Sequence, residues 1–161
     1  MTQTQSHHHL LSLHSGTSGD LQAVMQVMNK AFHPSFGEAW TYSQCAGILP
    51  MTGVELIIAT EDARQLVGFA LYRTVADEAE LLLLAVDPAV GRQGIGTKLL
   101  DRFIADASGH GASRLHLEVR ENNPAIALYR NAGFAIAGRR AGYYSGAHGE
   151  TFDALTLARP A

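Results

Sequence analysis

An apolar run that passes through a glycine-rich turn into a helix constrains this fold more than any other part of the sequence. The run is AELLLLAV over residues 79–86, and the turn is VGRQGIG, with three glycines within six positions. Apolar side chains after Gly94 share one helical face, and the alternating strand SRLHLEVR follows at 113–120. A strand, a helix and a strand in that order form a crossover, so we predict that residues 81–86 and 114–120 run parallel.

The glycine-rich turn has the features of an anion site. Glycine lets backbone amides come close to a ligand, and a helix N-terminus adds unpaired donors and partial positive charge. Amides from about Arg92 to Thr97 are therefore predicted to face a phosphate; a turn without a ligand is the alternative. The Gly-Lys-Ser/Thr ending of a Walker A loop is absent. A Rossmann dinucleotide site fits poorly, because its third glycine position holds Leu99 and no repeated strand–helix units precede it.

The N-terminal half is predicted to hold a strand, two helices and an antiparallel meander. Residues 8–14 form the strand, and Ser18 caps a helix whose apolar residues recur at helical spacing. A loop at 33–39 precedes a short helix at about 41–48. Three strand-like runs follow with connections too short for crossover helices, so they form the meander. These runs cover residues 54–60, 66–75 and 79–86.

The C-terminal part is predicted to add a helix and a hairpin. In NPAIALYRNAG, Asn123 caps the helix, Pro124 fills its first turn and Gly133 follows its end. Two final strands at 134–143 and 150–158 flank the turn SGAHG. The predicted fold class is α/β, with a central twisted mixed sheet of six to seven strands flanked by about four helices.

Size, charge and cysteine content limit the class of function. A chain of 161 residues is expected to form one domain over 1–161, with residues 1–7 disordered. A net charge of −3 without a Lys/Arg block argues against a nucleic-acid partner. The single cysteine, Cys45, favours a reducing compartment. With no signal-peptide pattern and no apolar run of membrane length, we expect a cytoplasmic protein without a membrane partner.

Two segments together resemble the GCN5-related N-acetyltransferase (GNAT) superfamily, whose members use acetyl-CoA. They are LAVDPAVGRQGIGTKLL and LHLEVRENNPAIALYRNAGF, and the resemblance covers about residues 78–158, with the N-terminal half matching in outline. LEVR, AIALY, GF and a late YY followed by DA are similar to the bacterial enzymes that acetylate ribosomal-protein alanine.

The resemblance implies how acetyl-CoA, the cosubstrate, is held without a metal. The strand ending at residues 84–86 splays from its parallel neighbour, which frees backbone groups for the pantetheine arm. The amide of Val86 faces the thioester oxygen, the following turn holds the diphosphate, and Asn123 touches the CoA arm. The implied cofactor-binding residues are Leu84, Ala85, Val86, Arg92, Gln93, Gly94, Ile95, Gly96, Thr97 and Asn123.

The resemblance also implies that Glu118 is the general base and Tyr129 the general acid. An amine attacks a thioester only when it is neutral; an α-amine has a pKa of about 8, so one carboxylate suffices to take its proton. A phenol with a pKa of about 10 is a reasonable proton donor to the departing thiolate. Two structural alternatives stay open: Glu118 forms an ion pair with Arg120 or another basic side chain, or Tyr129 serves core packing.

Two departures from the superfamily pattern concern these roles. Gly91 stands where Arg or Gln is usual, which puts the affinity for the diphosphate in doubt. The segment between Glu118 and Tyr129 is one residue shorter than usual, with the missing residue after Pro124. This is expected to rotate the start of the helix and to shift Tyr129 relative to the CoA sulfur. Phe36 and Trp40 either wall the acceptor groove or anchor a loop.

The predicted function is direct acetyl transfer from acetyl-CoA to a primary amine, with a protein N-terminus of the ribosomal-protein-alanine type as the leading acceptor. An acetyltransferase for a small amine and a non-catalytic CoA-binding module are the alternatives. The protein is expected to be a monomer or a homodimer.

Overall fold

The computed structural model describes residues 10–62, 64–90 and 94–161. Residues 1–7, expected to be disordered, and the predicted diphosphate ligands Arg92 and Gln93 lie outside the described residues. The described strands are β1 (Leu11–Ser15), β2 (Val54–Glu61), β3 (Gln65–Val75), β4 (Glu78–Val86), β5 (Arg114–Arg120), β6 (Ala135–Ser145) and β7 (Thr151–Pro160). The described helices are α1 (Leu21–Ala31), α2 (Tyr42–Ile48), α3 (Ile95–Gly109) and α4 (Ala125–Asn131).

All seven of these strands belong to one mixed sheet. Their order is β1-β2-β3-β4-β5-β7-β6. Every neighbouring pair is antiparallel except β4 and β5, which run parallel on either side of the crossover through α3. The predicted meander, crossover and C-terminal hairpin are therefore confirmed.

Helices cover both faces of the sheet. On one face, Leu99 and Phe103 of α3 are completely buried in a core with Tyr72 and Leu117. On the other face, α1 and α2 pack against a second core that includes Phe69. Each such side chain contributes about 1.5–3 kcal/mol when it leaves water. No helix in the described ranges is long and apolar enough to cross a membrane.

The alternation of side chains along β5 places the polar residues that matter for function. Leu115, Leu117 and Val119 are buried in the core beneath α3. Successive side chains of a strand point to opposite faces. His116 and Glu118 therefore lie on the opposite face of the sheet.

The start of α1 differs from the prediction that Ser18 is its cap. The hydroxyl of Thr17 accepts a hydrogen bond from the Gly19 amide at 3.3 Å, and the Asp20 carboxylate accepts one from the Thr17 amide at 2.8 Å. A capping box needs a side-chain acceptor three positions after the hydroxyl residue; Thr17 has Asp20 at that distance, whereas Ser18 has Leu21. A turn of 3-10 helix at Ser18–Asp20 then leads into α1.

Candidate active site

The strands β4 and β5 part after a short paired stretch. Their parallel register runs from Glu78–Arg114 to Leu81–Leu117, and the described residues continue it no further. At the same point the register of β4 with β3 shifts, which leaves Leu82 as an extra residue. Such a bulge bends its strand. A gap therefore opens between the carboxyl ends of β4 and β5, as the resemblance implies.

Alternate backbone groups of β4 face this gap. The Asp87 amide donates to the Val67 carbonyl at 2.7 Å, so the groups of residue 87 point toward β3. Because the direction alternates along a strand, the amides and carbonyls of Leu84 and Val86 point away from β3, into the gap. Those of Ala85 point toward β3. Of the three predicted contacts with the pantetheine arm, the geometry offers Leu84 and Val86 through their backbone.

The N-terminus of α3 offers a group of amides beside the gap. Its N-cap, Gly94, has φ +70° and ψ 20°, a left-handed conformation that favours glycine. The Lys98 amide makes the first bond of the helical ladder, to the Gly94 carbonyl at 3.0 Å. The amides of Ile95, Gly96 and Thr97 precede that ladder and receive no side-chain cap from Gly94. These donors have the arrangement that the predicted diphosphate site requires.

Substituting Gly94 with Val is expected to weaken CoA binding about 10²-fold, because two charge-assisted hydrogen bonds at about 1.5 kcal/mol each are lost. Space around a Cβ at this position is open, so the new side chain stands in front of the amides rather than against protein. Isothermal titration calorimetry with CoA measures the change.

The matched control is Gly111→Val. Gly111 has φ +92°, and a Cβ there also meets open space, but it follows the far end of α3. Both variants suffer the backbone strain of a β-branched residue at positive φ. Only Gly94→Val is expected to lose CoA affinity; equal losses in the two variants contradict the site.

A cleft of about 360 Å³ occupies the gap, and Tyr129 of α4 lines it. The Tyr129 side chain is buried, and its ring packs edge-on against Phe134 with 6.2 Å between centroids. Burial and, to a smaller extent, the Glu38 carboxylate raise the pKa of the Tyr129 phenol. The phenol therefore stays protonated near neutral pH, as a proton donor must.

The predicted base, Glu118, lines the same cleft with a side chain that is 7% exposed. The Thr156 hydroxyl donates to one of its carboxylate oxygens at 2.6 Å, and Arg140 Nε lies 3.3 Å from the other. The ion pair that the sequence left open is therefore present, with Arg140 as the basic partner. Arg120 instead pairs with Glu38. These contacts orient the carboxylate and keep it next to the cleft.

A second pocket of about 70 Å³ adjoins the cleft on the acceptor side. Trp40, Glu80 and Tyr143 line it. The two cavities share four lining residues, which are Glu38, Leu82, Glu118 and Tyr144. Glu118 thus lies where the two cavities meet.

The two aromatic residues in the loop between α1 and α2 differ in their contacts. Trp40 lines the acceptor-side pocket. Phe36 anchors the loop as well as lining the cleft: the Arg120 guanidinium lies 3.7 Å from its ring centroid, and Phe152 packs edge-on at 5.2 Å. Phe36 therefore has contacts that suit both alternatives, and for Trp40 the role in an acceptor groove stays a prediction.

Asn123 has protein partners on both ends of its side-chain amide. Its oxygen accepts from the Ala125 amide at 2.8 Å, which is a capping contact at the start of α4. Its nitrogen donates to Glu38 at 2.7 Å. A side-chain NH₂ has two hydrogens, so one donor remains for the predicted contact with the CoA arm.

Glu38 is the site residue that the sequence did not indicate. It lies in a loop without periodicity, and its partners Arg120 and Asn123 are 82 and 85 positions away. No local pattern reports a contact over that distance. Among the described residues, no group of three or more His, Cys, Asp and Glu side chains is placed to hold a metal ion.

Comparisons with known proteins agree with this geometry. A sequence model of the acetyltransferase (GNAT) family matches residues 21–134. The [ribosomal protein bS18]-alanine N-acetyltransferase of Salmonella typhimurium is 35% identical over 142 residues, which cover 88% of this chain and 91% of that protein. The protein of the same name from Escherichia coli K12 is 42% identical over 97 residues, covering 60% of this chain and 65% of that protein. A crystal structure of the Escherichia coli ribosomal-protein-S18-alanine N-acetyltransferase matches with a TM-score of 0.83 at 32% identity, over 94% of both chains.

Proposed function

This chain belongs to the GNAT acetyltransferase family, which uses acetyl-CoA, and from that premise we propose that its acceptor is the α-amine of a protein N-terminus that begins with alanine. The observation that carries the proposal is the meeting of the cleft and the acceptor-side pocket at Glu118. Relatives that match most of this chain are named for alanine of ribosomal protein bS18, which supports the same choice of acceptor.

Backbone groups and one helix terminus suit the cofactor. We assign the diphosphate to the amides of residues 95–97, where the α3 dipole and unpaired donors favour negative charge. The backbone of Leu84 and Val86 would bind the amide-rich arm as a strand partner does, in the place that β5 leaves free. When bound, acetyl-CoA supplies the activated acetyl group.

Proton transfers fall to two side chains at the meeting point. Glu118 takes a proton from the incoming ammonium and passes it to solvent, which leaves a neutral amine and restores the carboxylate. As the new N–C bond forms and the C–S bond breaks, Tyr129 gives its proton to the departing sulfur, and the proton leaving the nitrogen restores the phenol through solvent. The net products are an acetylated amine, free CoA thiol and one proton. Most of the remaining acceleration comes from holding the two reactants together.

The test is an acetyl-transfer assay with defined acceptors. Peptides that begin with alanine and contain an internal lysine are incubated with acetyl-CoA. Parallel reactions contain the same peptides with a blocked α-amine. Mass spectrometry of fragments locates the acetyl group. We expect modification of the free alanine α-amine and none of the blocked peptide.

The same assay includes a panel of small amines, namely amino sugars, polyamines and free amino acids. Acetylation of small amines with inert peptides contradicts the proposed acceptor and supports a small-molecule enzyme. CoA binding without transfer to any amine contradicts catalysis and supports a binding module.

A further inference from the structure

We propose that Glu38 is a positioning residue that ties the acceptor-side loop to the start of α4 and thereby fixes Tyr129 in the cleft; this inference rests on the proposed function. Glu38 lines both the cleft and the acceptor-side pocket. It takes no proton in the mechanism above, so its place between the two cavities calls for another role.

The two carboxylate oxygens of Glu38 hold two different residues. One lies 3.1 Å from Arg120 Nε at the end of β5, and the other accepts from Asn123 Nδ2 at 2.7 Å. The Glu38 side chain is 9% exposed and that of Arg120 is 11% exposed. Little solvent competes with these bonds, and the buried charges need each other as partners. Glu38 therefore fixes both ends of the connection from β5 to α4.

The loop that carries Glu38 is itself fixed to the turn between β6 and β7. Gly37 has φ +69°, and a Cβ there would collide with the Ser145 carbonyl oxygen. A Cβ at Gly146 would in turn collide with the Ser35 carbonyl oxygen. Two glycines thus allow the two backbones to touch, so Glu38 extends from a support that does not move freely.

The helix that carries Tyr129 needs such a tie. α4 has seven residues, and a helix of that length has little stability of its own. Its orientation must come from tertiary contacts: Leu128 and other apolar side chains pack on the core. At its start, Asn123 is bonded both to Glu38 and to the Ala125 amide in the first turn. The tie to Glu38 thus acts on the residue that begins the first turn of α4.

Glu38 also acts on Tyr129 through its charge. The titratable and charged side chains that line the cleft with Tyr129 are His33 and Glu38 from the loop, Glu118 and Arg120 from β5, and Tyr144 from β6. Of these, the Glu38 carboxylate adds to the effect of burial in raising the pKa of Tyr129. Removing this charge while keeping the side-chain shape must lower that pKa.

Two substitutions separate position from charge. Glu38→Ala removes the bonds to both partners, and we expect kcat to fall about tenfold or more, since small displacements of reacting groups are that costly. The KM for the peptide and the Kd for CoA should stay within about threefold. Glu38→Gln keeps an acceptor for Asn123 but no charge. Recovery of kcat in Glu38→Gln relative to Glu38→Ala therefore measures the contribution of position, and the remaining deficit measures that of charge.

Glu121→Gln is the matched control. Glu121 is the next residue after β5, its ion pair with Arg139 at 2.6 Å is on the surface, and it lines neither cavity. Loss of the Glu121–Arg139 ion pair should leave kcat, the KM for the peptide and the Kd for CoA at wild-type values. Glu38→Ala leaves the buried Arg120 charge without its partner. If this lowers the unfolding temperature, the double variant Glu38→Ala with Arg120→Met, which removes that charge, is measured instead.

The proposal is overturned if folded Glu38→Ala, or the double variant, keeps the wild-type kcat, or if kcat falls only in proportion to the folded fraction. Wild-type kcat in Glu38→Gln overturns the electrostatic part, and a kcat as low as that of Glu38→Ala overturns the positioning by the bond to Asn123. A wild-type enzyme that ignores alanine peptides but acetylates another amine contradicts the proposed acceptor alone, and the Glu38 variants are then measured with that amine.

Discussion

Replacing Glu118 with Gln is expected to lower kcat about 10³-fold, within the range that general acid–base groups contribute. The amide has nearly the same shape as the carboxylate and still accepts from the Thr156 hydroxyl, but it cannot take a proton. Arg140, the ion-pair partner, is 61% exposed and can be solvated when the pair is lost, so we expect little loss of stability. Steady-state kinetics with an alanine peptide measures the effect.

The pH dependence of the variant identifies the missing function. Without a base, transfer depends on the fraction of acceptor amine that is already neutral. That fraction rises about tenfold for each pH unit below the α-amine pKa of about 8. The rate of Glu118→Gln should therefore climb more steeply between pH 6 and pH 8 than the wild-type rate.

Glu78→Gln is the control for this prediction. Glu78 also lies on the sheet and pairs with an arginine, Arg114, at 3.4 Å, but it lines neither cavity. It should retain the wild-type kcat. If Glu118→Gln behaves in the same way and only the unfolding temperature changes, Glu118 is a structural ion pair.

The fold could be predicted because its signals are local. Alternating residues identified β5, a proline and a glycine bounded α4, and the order of strand, helix and strand fixed one parallel pair. The position of Glu118 on the polar face of β5 followed from the same alternation. Each element is identified from residues within a few positions of one another, and the parallel pair then follows from the order of the elements along the chain.

The site could be predicted only in part, because its geometry depends on distant contacts. The bulge at Leu82 appears in the register between two strands and has no marker in the sequence of either. The partners of Glu118, Arg140 and Thr156, come from the hairpin that folds back beside β5. Glu38 reaches the site from a loop. Sequence periodicity reports which face a residue occupies, but not which charge from another element meets it there.

Replacing Tyr129 with Phe is expected to lower kcat about 10²-fold and to leave the Kd for CoA nearly unchanged. The ring keeps its packing against Phe134, so the change removes one hydroxyl from the cleft and little else. Without that donor, the departing sulfur leaves as a thiolate or takes its proton from water, and both are slower.

Tyr72→Phe separates this loss from the general cost of removing a buried hydroxyl. Tyr72 is buried beneath α3, where it packs against Phe103 at 5.0 Å, and burial first, then Asp106, raises its pKa to about 12. It lines neither cavity, so its variant should change stability and leave kcat alone. Equal kcat values for the two variants would show that Tyr129 only packs. A loss confined to Tyr129→Phe supports the assignment of the proton donor to Tyr129, because of these two buried phenols only Tyr129 lines the cleft in the gap between β4 and β5.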